Sequence, residues 1–212
     1  MAVESIAACP IPHVEFAELH CITNYSFLRG ASHPEEMVKQ AAELGYQAIA
    51  ITDECSYAGL VKAHMAAKEC GIKLIVGAEF HLEEDLHLIL LAPCRTAYGQ
   101  LSALITKLRR RSPKGEYTIT LNDLNWGIDE CLALWVPAVT DIQTLLTQGR
   151  QLKSLLPELW IALELFHEAQ DLDKTAHALT VSMRLELPIV AANNVHTHVA
   201  LRQPLQDVMT AI

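Results

Sequence analysis

Histidine and acidic side chains occur where several apolar segments of this sequence end. His20 lies in the alternating segment 16–22, and a polar stretch follows it. Asp53 and Glu54 follow Thr52 at the end of the apolar segment 46–51. The other candidates are Glu79, Asn194 and His196, together with His87 at the start of its own apolar segment. Imidazole and carboxylate groups that converge from different strands are the ligands of a divalent-metal site, or of the remnant of one.

The elements that would position these side chains alternate along the chain. Short apolar segments predict strands, and the segments between them have the periodicity and the capping residues of helices, with Ser32 as the first N-cap. This alternation indicates an α/β architecture with a parallel sheet, in which the carboxyl ends of the strands meet on one face. The predicted strands are 16–22, 46–51, 73–80, 87–91, 131–136, 159–165 and 187–192. The main predicted helices are 32–45, 57–70, 96–110, 142–155, 167–185 and 203–212.

Composition limits the class of protein. A chain of 212 residues with 51% hydrophobic residues fits one domain with a sizeable core. The formal net charge of −9 has the wrong sign for a domain that binds a nucleic-acid backbone by itself. We interpret the one basic run, 107–114, as the solvated end of a helix, where it complements the helix dipole, and contact with nucleic acid is the alternative.

Cysteine usage and hydropathy predict a cytoplasmic protein with no membrane contact. The cysteines are scattered without any CxxC pair, which is typical of reduced core thiols in a cytosolic protein. The longest apolar runs, such as 86–93, are too short to span a bilayer. Residues 1–12 contain no Lys or Arg, which argues against a secretory signal and against a transit peptide.

Four motifs occur in a fixed order along the chain. HCITNYSFLRG begins at His20, ITDE ends at Glu54, IVGAE ends at Glu79 and NNVH ends at His196. In this order they resemble the successive motifs of the PHP (polymerase and histidinol phosphatase) domain. LRGASHPEE, AITDECSYAG, NNVHTHV and RQPLQDVMTAI resemble more closely the N-terminal PHP domain of bacterial error-prone DNA polymerases. These are the second DnaE-type (ImuC-type) alpha subunits of DNA polymerase III.

The resemblance implies a fold and a domain organisation. The expected fold is α/β, a distorted seven-stranded (βα) TIM-like barrel of the PHP type. Residues 1–212 would form a single PHP domain, in which 1–15 are an N-terminal extension. Residues 203–212 would begin a helix that leads into a polymerase body, so this chain itself would carry no polymerase site.

The resemblance also implies a partly substituted metal site. Active family members hold a multi-metal cluster in a cleft of histidine, acid and cysteine ligands. The ligand positions that this sequence keeps are His20, Glu54, Glu79, His87 and His196. The substituted positions are Ile22, Arg29, Pro137 and Asn194. Ile22, Arg29 and Pro137 cannot bind a metal, and Arg29 adds a permanent positive charge that opposes a bound cation.

Two functions follow from this substituted site. The first is a catalytically silent PHP domain that serves as a structural and docking module, with no cofactor, where Arg29 pairs with Glu54 and Glu79 as a built-in cation. The alternative is an active metal-dependent phosphoesterase, a 3′–5′ exonuclease or a pyrophosphatase, that uses Zn or Mn. A third interpretation is a free-standing cytosolic α/β protein with a small-molecule cleft.

The resemblance places the expected partners in the full-length polymerase. They are the rest of the polymerase chain, the sliding clamp and ImuA/ImuB-type accessory proteins. DNA would be bound by the full-length nucleotidyltransferase during translesion synthesis and DNA repair, and weakly or not at all by this acidic domain. Magnesium would be used only by the polymerase carboxylates, which lie outside this chain.

Overall fold

A computed structural model of the chain describes residues 16–83, 85–138 and 141–212, so the predicted extension 1–15 lies outside the described residues. In these ranges, seven strands form one sheet in the order of the sequence. The strands are β1 (Ala17–Glu18), β2 (Ala48–Ile51), β3 (Lys73–Leu82), β4 (Leu86–Ala92), β5 (Leu132–Val136), β6 (Leu159–Leu163) and β7 (Ile189–Ala191).

Within the described ranges, six α-helices connect or follow these strands. They are α1 (Pro34–Glu43), α2 (Leu60–Cys70), α3 (Arg95–Arg111), α4 (Ile142–Leu155), α5 (Asp171–Leu185) and α6 (Gln203–Thr210). Short 3-10 turns occupy Leu121–Asn125 and Ala200–Arg202. Within the described part of the chain, no helix combines the length and the apolar character that crossing a membrane requires.

The sheet is mixed, so the predicted all-parallel arrangement is wrong at β4. β4 runs antiparallel to both β3 and β5, while the remaining neighbours are parallel. Leu82 and Leu86 face each other in register, and a connection this tight can join only antiparallel strands. Because β4 is reversed, His87 near its start lies at the edge where the parallel strands end.

The first and last strands meet just beyond their carboxyl ends. The Ile22 amide donates to the Val195 carbonyl (3.0 Å), and the Val195 amide donates to the His20 carbonyl (2.9 Å). The buried carboxylate of Glu18 accepts hydrogen bonds from the backbone amide and the side-chain amide of Asn193. These bonds bring β1 next to β7 and give the sheet the form of a distorted barrel.

The core has two layers, one on each face of the sheet. Along β4, Leu88 and Leu90 belong to the large cluster that the helices cover, whereas Ile89 and Leu91 belong to the small cluster inside the barrel. This alternation is the period-two pattern of a strand that is buried on both faces. The barrel interior is therefore apolar, and the polar groups are left to the edge where the strands end.

Helices α1, α2 and α5 begin later than the sequence predicts, and in α1 and α5 local hydrogen bonds compete with the helix. The N-cap of α1 is His33 and not Ser32, whose hydroxyl instead lies 2.8 Å from Nδ1 of His198. Helix α5 begins at Asp171, whose carboxylate accepts hydrogen bonds from the amides of Phe166 and Glu168. Side-chain acceptors of this kind stabilise a turn before the first helical residue.

The basic run at the end of α3 is only partly solvated. Arg109 donates to the backbone carbonyls of Glu54 (2.9 Å) and Cys55 (3.2 Å). Arg111 pairs with the buried carboxylate of Asp123. The interpretation of this run as a solvated helix end is therefore wrong for these two arginines, which bind other parts of the same domain.

The cysteines of the described residues are free thiols. Cys21, Cys55 and Cys131 are buried, and burial raises the pKa of each of these three thiols. Cys70 and Cys94 are exposed, so the structure does not bury all of them as the sequence interpretation suggested.

Candidate functional site

His20 is fully buried at the point where β1 ends, and carboxylates lie against both of its ring nitrogens. Its Nε2 is 2.8 Å from a carboxylate oxygen of Glu79, and its Nδ1 is 2.6 Å from one of Glu164. Burial by itself lowers the pKa of His20, but the hydrogen bonds to Glu164 and Glu79 outweigh burial and raise the pKa to about 9. His20 is therefore an imidazolium that donates two hydrogen bonds at neutral pH.

Glu79, near the middle of β3, is the centre of the cluster. Its side chain is fully buried, and its Oε2 is also 3.1 Å from Nε2 of His87. Burial would raise the pKa of Glu79, but the neighbouring histidines, His20 first among them, hold it well below its usual range. Glu79 is thus a carboxylate that positively charged and neutral donors surround.

Arg29 reaches into this cluster from the loop after β1. Its Nη1 donates to Oε2 of Glu54 (2.7 Å) and also to Oε1 of Glu79. The Tyr117 hydroxyl donates to the other oxygen of Glu54 at 2.9 Å. Burial opposes the charge on Arg29, but Glu79 and Glu54 outweigh it and raise the pKa of the guanidinium. The pairing predicted for Arg29 is present in the structure.

Asp53 holds the Arg29 loop in place and does not join the cluster. Its carboxylate accepts hydrogen bonds from the Thr23 amide (2.7 Å) and from the Thr23 and Ser26 hydroxyls (2.8 and 2.7 Å). The Ser26 hydroxyl in turn accepts from the amide of Glu54 at 3.0 Å. Gly30 is required here, because a Cβ at this position would lie 2.1 Å from the Thr23 carbonyl oxygen.

A pair of histidines stands on one side of Glu79. His87 on β4 faces His81 on β3 in register, and the two rings stack with their centroids 4.2 Å apart. Burial lowers the pKa of His87, so its ring is neutral at pH 7. Nε2 of His81 lies 3.9 Å from Oε1 of Glu79, so this half-exposed histidine borders the cluster.

The structure brings together only some of the predicted ligands. Among the described residues, His20, Glu79 and His87 are the group whose ligand atoms all lie within 4.8 Å of one another. Glu54 is joined to this group through Arg29. These three residues could contact one ion, but their ligand atoms already make hydrogen bonds to other side chains.

His196 is engaged elsewhere. Its Nε2 is 2.8 Å from Oδ1 of Asn194, and its Nδ1 is 2.6 Å from the side-chain nitrogen of Gln206. Burial, followed by the positive charge of Arg29, lowers the pKa of His196 to about 4, so the ring is neutral at pH 7. Within the described part of the chain, His196 makes no hydrogen bond to His20 or Glu79.

The remaining substituted positions contribute no ligand atoms. Ile22 is fully buried in the barrel wall. Pro137 lines a cavity of about 340 Å³ that also reaches Glu164, His87 and Asn194. The cavity lies beside the cluster at the carboxyl edge of the sheet, which is the usual place for a ligand in an α/β barrel.

Glu164 is the site residue that the sequence analysis missed. The predicted strand 159–165 included it, whereas β6 ends at Leu163 and leaves Glu164 at the carboxyl edge. The available signal was an acidic residue near the end of an apolar strand, the same signal that identified Glu79. Its partner His20 is distant in sequence, so only the fold shows that they meet.

One known protein family matches most of the chain. The PHP domain profile matches residues 18–180. The chain belongs to the PHP domain family. This PHP domain is 50% identical over 200 residues to an error-prone DNA polymerase of Methylococcus capsulatus. It is 47% identical over 204 residues to an error-prone DNA polymerase of Dechloromonas aromatica.

These polymerases are much longer than this PHP domain. Each of the two alignments covers 93% of this chain but only 19% and 20% of the relative. The chain therefore spans about a fifth of the length of the curated relatives it matches. The resemblance to the PHP domain of error-prone DNA polymerases, predicted from the motifs, is confirmed.

Two solved structures share the fold of this PHP domain. One is a protein assigned as a candidate metal-dependent phosphoesterase from Bifidobacterium adolescentis, with a TM-score of 0.60, 17% identity and coverage of 88% of this chain and 89% of that chain. The other is an amidohydrolase from Chromobacterium violaceum, described with bound sulfate and no metal. Its TM-score is 0.67 at 16% identity, with 85% and 87% of the two chains covered. The predicted distorted seven-stranded barrel of the PHP type is confirmed.

Proposed function

We propose that this PHP domain is a catalytically silent structural and docking module of an error-prone DNA polymerase. The observation that carries the proposal is the position of Arg29, whose guanidinium donates to both Glu54 and Glu79. A metal ion at this place would need the same carboxylate oxygens. The side chain of Arg29 therefore takes the role that a cation has in an active site of this fold.

The residues present do not fit a multi-metal cluster. Such a cluster needs several carboxylates or imidazoles for each ion. Ile22, Arg29 and Pro137 offer no ligand atom, and His20 uses both of its nitrogens on carboxylates. A divalent ion about 4 Å from a guanidinium would meet a repulsion on the order of 8 kcal/mol at an effective dielectric constant of about 20.

Side-chain cations offset two of the three carboxylate charges of the site without a metal. Glu54, Glu79 and Glu164 supply negative charge, and Arg29 and His20 supply positive charge within hydrogen-bonding distance of them. These pairs connect the residues that follow β1 and β6, the middle of β3 and the loop after β2. The cluster thus supports a structural role in which fixed cations join strand ends that would otherwise repel one another.

A metal-dependent phosphoesterase is the second candidate. It is favoured by the ligand atoms of His20, Glu79 and His87, which lie close enough to contact one Zn or Mn ion. The fold neighbour from Bifidobacterium adolescentis is described as a candidate member of that class of enzyme. This function requires Arg29 to leave Glu79, so that Glu54 and His196 can complete the coordination of the ion. The substrate would be a 3′-nucleotide end or pyrophosphate.

The wider role follows from the relatives. As part of an error-prone polymerase, the domain would act in DNA repair and translesion synthesis in the cytoplasm. The rest of the polymerase chain would be its direct partner, and the sliding clamp, ImuA/ImuB-type proteins and magnesium would bind outside it. The net charge of −9 supports a DNA contact made by the rest of the polymerase and not by this domain.

Metal analysis tests the proposal. We expect the purified, tag-free chain to contain substoichiometric metal by plasma mass spectrometry, before and after incubation with zinc or manganese. We also expect no hydrolysis of single-stranded DNA ends or of pyrophosphate. A stoichiometric ion together with hydrolysis that disappears in a His20→Ala, His87→Ala double variant would establish the phosphoesterase instead. Arg29→Asp is the matched variant, and it should gain metal if Arg29 is what excludes the ion.

A further inference from the structure

Helix α6 has an apolar face with no partner among the described residues. Leu205 and Val208 lie on α6 and are 44% and 62% exposed; Leu201, in the 3-10 turn before α6, is 91% exposed, and Ile212, two residues after α6, is 86% exposed. The four residues follow one another at helical spacing, and together they are called the α6 face. None of the α6 residues, all of which the structure describes, is buried. A contiguous apolar surface of this kind marks an interaction site more often than isolated exposed residues do.

Polar contacts at Arg202 and Gln206 link α6 to the barrel. Arg202, directly before α6, donates to a carboxylate oxygen of Glu36 at 2.6 Å. Gln206 lies 2.6 Å from Nδ1 of His196. Residues 202 and 206 are one turn apart, so they define the face of α6 that is turned to the barrel. The apolar residues lie on the neighbouring face of the helix.

Helix α6 has eight residues and buries none of them, so it lacks the packing that usually stabilises a helix. Isolated helices of this length are marginal in water, and most helices in proteins are stabilised by packing of an apolar face. Helix α5 is the instructive contrast. It also exposes Leu179 and Met183, but it buries Ala178, Val181 and Leu185 against the barrel. Helix α6, in contrast, exposes large apolar side chains and has no buried residue of its own.

We propose that this α6 face, formed by Leu201, Leu205, Val208 and Ile212, docks on the part of an error-prone polymerase chain that lies outside this domain. The inference rests on the proposed function and names its docking surface. Its occupant is inferred from length, because about four fifths of each relative lies beyond the region that this chain matches. A partner segment with aliphatic side chains would bury the α6 face, while Arg202 and Gln206 keep α6 bound to the barrel.

Hydrogen exchange of α6 in two contexts tests this proposal. We expect the amides of residues 203–212 to exchange rapidly in this chain alone and at least about tenfold more slowly in the full-length polymerase that contains it. A Leu205→Glu, Val208→Glu variant of the full-length protein should lose that protection. The same pair in the 212-residue chain should leave its melting temperature unchanged, which shows that the domain still folds.

Leu179→Glu, Met183→Glu on α5 is the matched control and should leave the protection of α6 unchanged. Equal exchange of α6 in both contexts, or protection that survives Leu205→Glu, Val208→Glu, would overturn the proposal. So would sedimentation of the 212-residue chain as a dimer that Leu205→Glu dissociates, since the occupant would then be a second copy. Metal content and hydrolysis report separately on the silent site, so failure of one proposal is distinguishable from failure of the other.

Discussion

Arg29 and His20 supply positive charge at the place where carboxylates from several strands converge. The guanidinium contacts Glu54 and Glu79, and the imidazolium contacts Glu79 and Glu164. Buried carboxylates are costly unless they are paired and hydrogen-bonded. At the scale of residues, the barrel edge therefore depends on fixed side-chain cations for its electrostatic balance.

Arg29→Ala should lower the free energy of unfolding by about 2–3 kcal/mol, because it leaves the fully buried Glu79 with less positive charge around it. The estimate is below the range for a fully buried pair because the Arg29 side chain is 27% exposed. Urea unfolding at neutral pH measures the change. Arg184→Ala, an exposed arginine on α5, is the control and should have little effect. An unchanged melting temperature for Arg29→Ala would contradict the proposed role.

The end of α3 shows how an element is fixed by charge. Arg111 donates to Oδ1 of the buried Asp123 at 2.7 Å, and the Thr120 amide donates to Oδ2 at 2.8 Å. Burial would raise the pKa of Asp123, but the hydrogen bonds from Arg111 and Thr120 lower it. The basic residue thereby attaches the helix to the 3-10 turn that follows it.

This attachment predicts a pH dependence of stability. Because the pKa of Asp123 is lower in the folded state than in the unfolded state, its contribution is present above about pH 4 and is lost as the pH falls through the folded value. Arg111→Gln should cost about 1–3 kcal/mol at pH 7 and less as the pH falls below about 4. Urea unfolding across this range measures it, with the exposed Arg110→Gln as the control. A cost that does not change with pH would refute the assignment.

At the scale of the whole molecule, the barrel depends on one seam between its first and last strands. Glu18 is buried at this seam, and its Oε1 accepts hydrogen bonds from the amides of His20 (3.0 Å) and Asn193 (3.1 Å). The bridge between Cys21 and Val195 lies just beyond it. The residues that close the barrel are therefore next to those that form the charged cluster.

Glu18→Ala should destabilise the fold by about 2–3 kcal/mol, because it leaves buried amide donors without an acceptor. The amides of Ile22 and Val195 should exchange faster with solvent than in the parent chain, since they form the seam. Hydrogen exchange with mass spectrometry locates the effect. Glu43→Ala, at an exposed position of α1, should change neither quantity. Uniformly unchanged exchange at the seam would show that Glu18 does not close the barrel.

Much of the fold was predictable from local patterns. All seven strands exist close to their predicted positions, and the helix predicted over 142–155 has the bounds of α4. The antiparallel direction of β4 was missed because segment 87–91 has the same apolar pattern in either direction. The tight connection from Leu82 to Leu86 decides the direction. The predicted strand ended at residue 80, so the predicted connection to residue 87 was longer than the real one.

By itself, the sequence determined the family, the order of the elements and most of the side chains at the barrel edge, since motifs and periodicity depend on residues close together in the chain. The tertiary structure decided which of those side chains meet. It paired His20 with Glu164, 144 positions away, and turned His196 towards Gln206. Such contacts depend on strand direction and on where each strand ends. A displacement of one or two residues decides whether a carboxylate faces the cluster or the barrel wall.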